Sequence, residues 1–198
     1  MAKIKLTKNE LKRQKDMLSR FERYLPTLVL KKQQLQLVIR RVEAEIRKKM
    51  LQKEEILRNL MDWVHVFGEE VGIDKLVKIR NVETEVGNIA GVDIPVFKGI
   101  EFEDITYDLF IMPLWVDRGL EELKRIIALD AEIDILNQQK ERLGEELRIT
   151  TQRVNLFEKV KIPETRENIR IINIYLGDQQ TAEVIRGKIA KKKLTRQV

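Results

Sequence analysis

The stretch LSRFERYLPTLVLKKQQLQLVIRRVEAEI, residues 18–46, carries apolar side chains at alternating three- and four-residue steps: Leu18, Phe21, Leu25, Leu28, Leu35, Ile39, Val42 and Ile46. The stripe continues through Ile56, Leu60 and Trp63. A second stretch, residues 126–157, repeats it with Ile126, Leu129, Ile133, Leu136, Leu143, Leu147, Val154 and Phe157. Steps averaging 3.5 residues hold one stripe against a partner helix over its whole length. Two such stripes in one chain predict a mainly α fold. The expected form is a long antiparallel two-helix coiled coil made by the N- and C-terminal arms, with a small β-hairpin insert between them. At about 1.5 Å per residue, an arm of roughly 50–60 residues reaches on the order of 75–90 Å. Such a shape points to mechanical or scaffolding work, and no enzyme site is expected.

The arms have readable ends. Thr7-Lys8-Asn9-Glu10 fits a capping box, with the Thr7 hydroxyl on the Glu10 amide and the Glu10 carboxylate reaching back, while Leu6 and Leu11 stand where a hydrophobic staple would. Pro26 lies inside the first arm and predicts a kink, because an interior proline removes a hydrogen bond. Lys32, Lys49, Lys53 and Lys140 fall on stripe positions, where a lysine weakens a seam but sets its register. The first helix is expected to end near Gly68–Gly72 and the second to start around Pro113, as a first-turn proline, and run to about Val160. Ile162-Pro163-Glu164 then interrupts it, with Pro163 as a kink or as the first-turn proline of a resumed helix, and Ile169, Ile172, Tyr175 and Leu176 continue a helical pattern. Between the arms, β-branched residues in near-alternation flank Gly87, Asn88, Gly91 and Val92, which predicts two short strands and a hairpin. Pro95 should keep its strand short or at an edge. Trp63, Phe67, Phe97, Phe102, Tyr107, Phe110 and Trp115 are candidates for packing the hairpin on the helices. The expected organisation is thus an N-terminal arm (1–68), an acidic hairpin insert (69–112), and a C-terminal arm with a basic tail (113–198).

Composition agrees with helices that are wet on most sides: 35% of residues are charged and only 6% aromatic. The absence of cysteine removes disulfide and thiolate chemistry and fits a reducing, cytosolic setting. The N-terminus has no apolar core of signal-peptide length, and the run Leu109–Val116, broken by Pro113, is too short to span a bilayer. The net charge of +6 is unevenly placed: residues 66–112 carry −6 and the rest +12. Beyond Glu183 every charged residue is basic, namely Arg186, Lys188, Lys191, Lys192, Lys193 and Arg196. Such a tail suits nucleic acid or acidic lipid. It equally suits a solvated helix end whose bases face the negative pole of the macrodipole. No aromatic platform or recognition motif accompanies the bases, so no nucleic-acid partner is expected.

Catalytic chemistry finds little support. His65 is the single histidine, flanked by valines, and no Cys/His cluster completes a metal site. Gly187-Lys188 is followed by Ile189, and Ala182 stands where a phosphate loop needs glycine. The adjacent pairs Glu69-Glu70 and Glu121-Glu122 do not converge on one point of a helix. Gly87 and Gly91 read as turn glycines. No catalytic residue, metal or cofactor is therefore expected.

Three stretches resemble the D subunit, the central rotor shaft, of the V-type and A-type rotary ATPases. Residues 152–163, QRVNLFEKVKIP, are similar to that family's Arg-Val-Asn-x-Leu-Glu followed by Ile-Pro, with Phe157 between Leu156 and Glu158. Residues 88–97, NIAGVDIPVF, resemble its Gly-Val-x-Val-Pro hairpin strand, and Leu6-Thr7-Lys8-Asn9-Glu10-Leu11 resembles its opening. The order is right over nearly the whole chain. Where the family has Lys-Arg-Asp in the first helix, this chain has Lys31-Lys32-Gln33.

The resemblance implies a non-catalytic stalk protein, cytoplasmic and peripheral to the membrane, that transmits rotation between an ATP-hydrolysing or ATP-synthesising ring and an ion-translocating membrane rotor. It implies as partners the catalytic and noncatalytic ring subunits, a small F subunit, and a funnel-like subunit on the rotor ring. It also implies that the basic tail sits among the catalytic subunits, with Arg186, Lys188, Lys191, Lys192 and Lys193 as contacts. Two other readings stay open: a coiled-coil adaptor or export-stalk protein with no rotary role, and a basic coiled coil that binds nucleic acid or membrane.

Overall fold

The computed structural model describes residues 4–61, 72, 76–106, 112, 113 and 115–195. The chain is mainly helical with one small hairpin: α1 (Lys8–Met61), β1 (Ile79–Ile89), β2 (Val92–Phe102), α2 (Val116–Leu156), a π-helical turn (Phe157–Lys161) and α3 (Ile162–Thr195). Trp63, His65, Phe67, the Glu69-Glu70 pair, Tyr107, Phe110 and the expected helix end at Gly68 lie outside the described residues.

Helix α1 contains no glycine and is rich in Leu, Lys, Glu, Gln and Arg, all strong helix formers. Its start corrects the expected capping box. The Glu10 amide does donate to Thr7 Oγ1, at 3.2 Å. The return bond is replaced: the Thr7 amide donates to the Lys5 carbonyl at 3.0 Å. The Glu10 carboxylate instead accepts from Gln14 Nε2 at 2.8 Å, one turn on. Helix α1 runs unbroken through Pro26, and the neighbouring Thr27 hydroxyl donates to the Tyr24 carbonyl.

Pro113 is not in the first turn of α2 but ahead of it. Its carbonyl accepts from the Val116 amide at 3.1 Å, and the Trp115 carbonyl accepts from Gly119. Pro163 stands in the first turn of α3, as one of the two expected readings has it, and a widened turn precedes it. An α-helical proline ring clashes with the carbonyl four residues earlier. Here the Ile162 amide reaches back five residues to the Phe157 carbonyl. The Thr165 hydroxyl donates to the Lys161 carbonyl at 2.6 Å. One π turn therefore lets the helix pass the proline.

The strands of the antiparallel hairpin, 11 residues each, are longer than expected. Ile89 pairs with Val92, so the turn is Ala90-Gly91, and both residues have positive φ, at 54° and 77°. That is the two-residue geometry whose twist matches the strands. Gly87 and Asn88 accordingly sit in β1 and not in the turn. A Cβ on Gly87 would lie 2.8 Å from Val96 Cγ2, so any other residue there would force Val96 to shift.

The chain forms two compact units. One joins α1 up to Lys32 with everything from Ile149, and the other spans Gln33–Arg148. In the second, Leu35, Val42 and Ile46 of α1, Ile94 of β2, and Ile133 and Leu143 of α2 form one buried cluster, at 7% exposure or less. In the first, Thr150, Val154, Ile162, Thr165 and Ile172 are buried, and the Phe21 and Phe157 rings meet at 5.1 Å.

Candidate functional site

The helices of the Gln33–Arg148 unit are tied by charge at their stripe lysines. Lys49 Nζ lies 2.7 Å from Glu132, Lys140 Nζ lies 3.0 Å from Glu43, and Lys53 Nζ meets both oxygens of Asp130 at 2.6 and 2.8 Å. As the α1 position rises from 43 through 49 to 53, its α2 partner falls from 140 through 132 to 130. These groups are partly exposed, so each pair contributes only about 0–1 kcal/mol. Their use is registration, since a slip of one turn breaks all three. Lys32 is half-buried.

The hairpin is held on α2 through its backbone. Gln139 Nε2 donates to the Pro95 carbonyl at 2.6 Å, and Arg142 Nη1 donates to the Asp93 carbonyl at 3.2 Å. Positions 139 and 142 share a helix face, and between them they satisfy acceptors on the strand that contains a proline. At the tip, Asn88 Oδ1 accepts from the Gly91 amide and Asn88 Nδ2 donates to Asp93 Oδ1, which brace the turn. Glu85 and Lys98 pair across the strands at 2.6 Å. The hydrogen bond from the ammonium holds the Glu85 carboxyl below its ordinary range, and the same bond raises Lys98.

Every stripe residue named above from Leu18 to Ile46 and from Ile126 to Phe157 is buried or half-buried: Leu18, Phe21, Leu25, Leu28, Leu35, Ile39, Val42 and Ile46 on α1; Ile126, Leu129, Ile133, Leu136, Leu143, Leu147 and Val154 on α2; and Phe157 in the π turn. Sequence reasoning missed Ile135 and Gln139, both buried. They lie off the α1-facing stripe, and a single-stripe reading has no place for them. Ile135 lines an open groove of about 660 Å³ between α2 and the hairpin, with Ile79, Val82, Pro95 and Ile127. The groove also holds Asp130, already engaged by Lys53, and Arg142, already on the Asp93 carbonyl. Among the described residues, no group of three or more His, Cys, Asp or Glu side chains could hold a metal ion.

The end of α3 differs in kind. Every residue from 177 to 193 is helical and exposed, including Arg186, Lys188, Lys191, Lys192 and Lys193, and the apolar Val184, Ile185 and Ile189 are more than half exposed. Nearer its start, Arg170 grips Glu167 through two hydrogen bonds, at 2.6 and 2.8 Å, which lower the Glu167 carboxyl. No helix among the described residues is long and apolar enough to cross a membrane.

The structure thus offers long helices registered by ion pairs, a docked hairpin, and a basic helix end exposed on every side. Known proteins match this chain over nearly its whole length. The family model for the ATP synthase D subunit matches residues 10–192. The V-type ATP synthase D subunit of Borreliella burgdorferi is 53% identical over 194 residues, covering 98% of this chain and 96% of that protein. Those of Chlamydia abortus and Chlamydia felis are 35% and 34% identical over 196 residues, with 98% of this chain and 94% of each relative covered. The chain therefore belongs to the ATP synthase D-subunit family, the non-catalytic central-stalk proteins that link the catalytic head of a V-type ATPase to its rotor.

Proposed function

We propose that this chain works as the turning shaft of such an assembly, with its N- and C-terminal arms paired as an antiparallel coiled coil. The opposed order of the three interhelical ion pairs supports the antiparallel direction. The buried or half-buried stripe positions on both helices support apolar pairing of the arms. In this reading the arms transmit rotation between the catalytic and noncatalytic ring subunits and the ion-translocating membrane rotor. A small F subunit binds alongside, and a funnel-like subunit couples the shaft to the rotor ring. The shaft is cytoplasmic and peripheral to the membrane, and it carries no nucleotide chemistry of its own. An asymmetric shaft touches each catalytic subunit differently and biases the three sites toward different states.

The single observation that carries the reading is the end of α3. Seventeen consecutive helical residues, 177–193, are exposed on every side in the isolated chain. A helix rarely keeps that length without burying one face, so the ring of catalytic subunits is its cover. Arg186, Lys188, Lys191, Lys192 and Lys193 supply the polar contacts there. An adaptor without a rotary role would make the same contacts but tolerate their being locked.

That difference is testable, because the chain has no cysteine of its own. Ile189→Cys, oxidised to a cysteine on the facing catalytic subunit, should stop ATP turnover by the assembly, and reduction should restore it. A control crosslink inside the shaft, from Glu43→Cys to Lys140→Cys, should leave turnover intact. Full turnover with the first crosslink closed would show a static scaffold.

A further inference from the structure

We infer that the shaft carries a twist joint where the π turn of Phe157–Lys161 runs beside the Phe21–Pro26 stretch of α1. The sequence holds one residue too many at that turn. Leu143, Leu147, Thr150, Val154 and Phe157 follow steps of four, three, four and three. Ile162, Thr165, Ile169, Ile172 and Leu176 follow steps of three, four, three and four. All ten are buried or half-buried. The step from Phe157 to Ile162, which joins the two runs, is five where the rhythm calls for four. In an α-helix one extra residue turns everything after it by about 100°. A turn closed five residues back absorbs that residue and keeps both runs buried. Pro163 is a separate cause at the same place, so replacing the proline alone leaves the offset.

The paired helix is weakened at the same level. The Phe21 ring meets Phe157, the first residue of the π turn, at 5.1 Å, and Arg166, beyond the turn, reaches Glu22 at 2.7 Å. Pro26 has no N–H, which removes the bond that α pairing would bring to the Glu22 carbonyl. Pro163 does the same to the Lys159 carbonyl. The Ile162 amide passes over the Glu158 carbonyl for that of Phe157. Both helices thus lose backbone bonds along one stretch of their pairing, and prolines and π turns are where helices bend. No residue of the π turn is buried, so the turn can change its pitch without uncovering apolar surface. Val154 before it and Ile162 and Thr165 after it stay buried. As a device the joint rests on the turning-shaft reading: a shaft under torque takes up twist where its bonds are fewest.

The test uses the full chain, which has no cysteine of its own. Spin labels on Asn155→Cys and Asn173→Cys, both exposed, span the turn. Labels on Gln36→Cys and Glu54→Cys, also exposed and the same number of residues apart, span uninterrupted helix in α1. The distance distribution of the first pair should be about two-fold wider than that of the second. A stiffened chain combines Pro26→Ala and Pro163→Ala with deletion of Val160, after which the stripe runs on in unbroken steps of three and four. Its first distribution should narrow to the width of the second. Equal widths in the unstiffened chain would overturn the inference, and so would a width that the stiffened chain leaves unmoved. Should the stiffened chain fail to fold, the comparison of the two pairs in the unstiffened chain decides alone. Both distances are read on the isolated chain, so their failure is distinct from failure of the shaft reading, which the Ile189→Cys crosslink tests.

Discussion

The core of the Gln33–Arg148 unit and the far end of α3 are both helical, yet they answer to different forces. Around Leu35 and Leu143, at 0% exposure, three elements close on one another and Ile94 of the hairpin completes the cluster. From residue 177 to residue 193, every residue is exposed. Helical propensity alone is weak, and most helical stability in proteins comes from burying a face. The first region is stabilised by burial within the chain; the second has no buried residue to add to its helical propensity. A stalk needs both, because a shaft has to hold its own form and still present a surface that belongs to its surroundings.

The sharpest way to break this comparison is a pair of alanine substitutions. Leu143→Ala should cost about 2–5 kcal/mol, from lost transfer energy and the cavity left behind. Ile189→Ala should change the isolated chain by no more than about 0.5 kcal/mol, and its effect should emerge only in the assembly. Chemical denaturation of the purified chain measures both. A large loss from Ile189→Ala in the isolated chain would mean that α3 is covered by its own protein.

A second change probes whether the hairpin belongs to the core or merely rests on it. Gly87→Val places a branched side chain where a Cβ already meets Val96 Cγ2 at 2.8 Å. The expected loss is about 1–3 kcal/mol, with the transition still cooperative. A variant whose hairpin amides lose hydrogen-exchange protection while the helices keep theirs would make the hairpin an appendage.

The smallest effect sits on the hairpin surface. Glu85 titrates below its ordinary range and Lys98 above its own, because each stabilises the other's charged form. The Glu85 contribution is present above its unfolded-state value and is lost as pH falls through its lowered folded value. The Lys98 contribution is present below its unfolded value and is lost as pH rises through its raised one. Both groups are solvent-exposed, so the readout is the titration itself. Lys98→Ala should move the Glu85 midpoint, followed by carboxyl NMR shifts, upward toward an ordinary carboxylate. An unmoved midpoint would mean that the pair does not form in solution.

How much of the fold is legible in one dimension follows from what each signal encodes. Alternating steps of three and four named the buried faces of α1 and α2, because burial against one neighbouring helix imposes its period on the chain. The same period placed Lys49, Lys53 and Lys140 on the stripe, but their acidic partners, Glu132, Asp130 and Glu43, lie 77–97 positions away in the numbering and follow no local rule. Glycine spacing announced a hairpin and misplaced its turn, since Gly87 and Gly91 look alike in sequence. One meets Val96 across the sheet and the other has a positive φ.

By itself the sequence determined the helices, the existence of a hairpin between them, the basic end and the family, because local propensity, period and composition are carried residue by residue. Only the tertiary structure decided that α2 serves two neighbours, α1 through Ile133 and Leu143 and the hairpin through Ile135, Gln139 and Arg142. It also decided that Pro163 is passed by a π turn and that the Glu10 carboxylate turns to Gln14. Each of those outcomes rests on which groups meet across space, and a one-dimensional pattern records only which groups are available to meet.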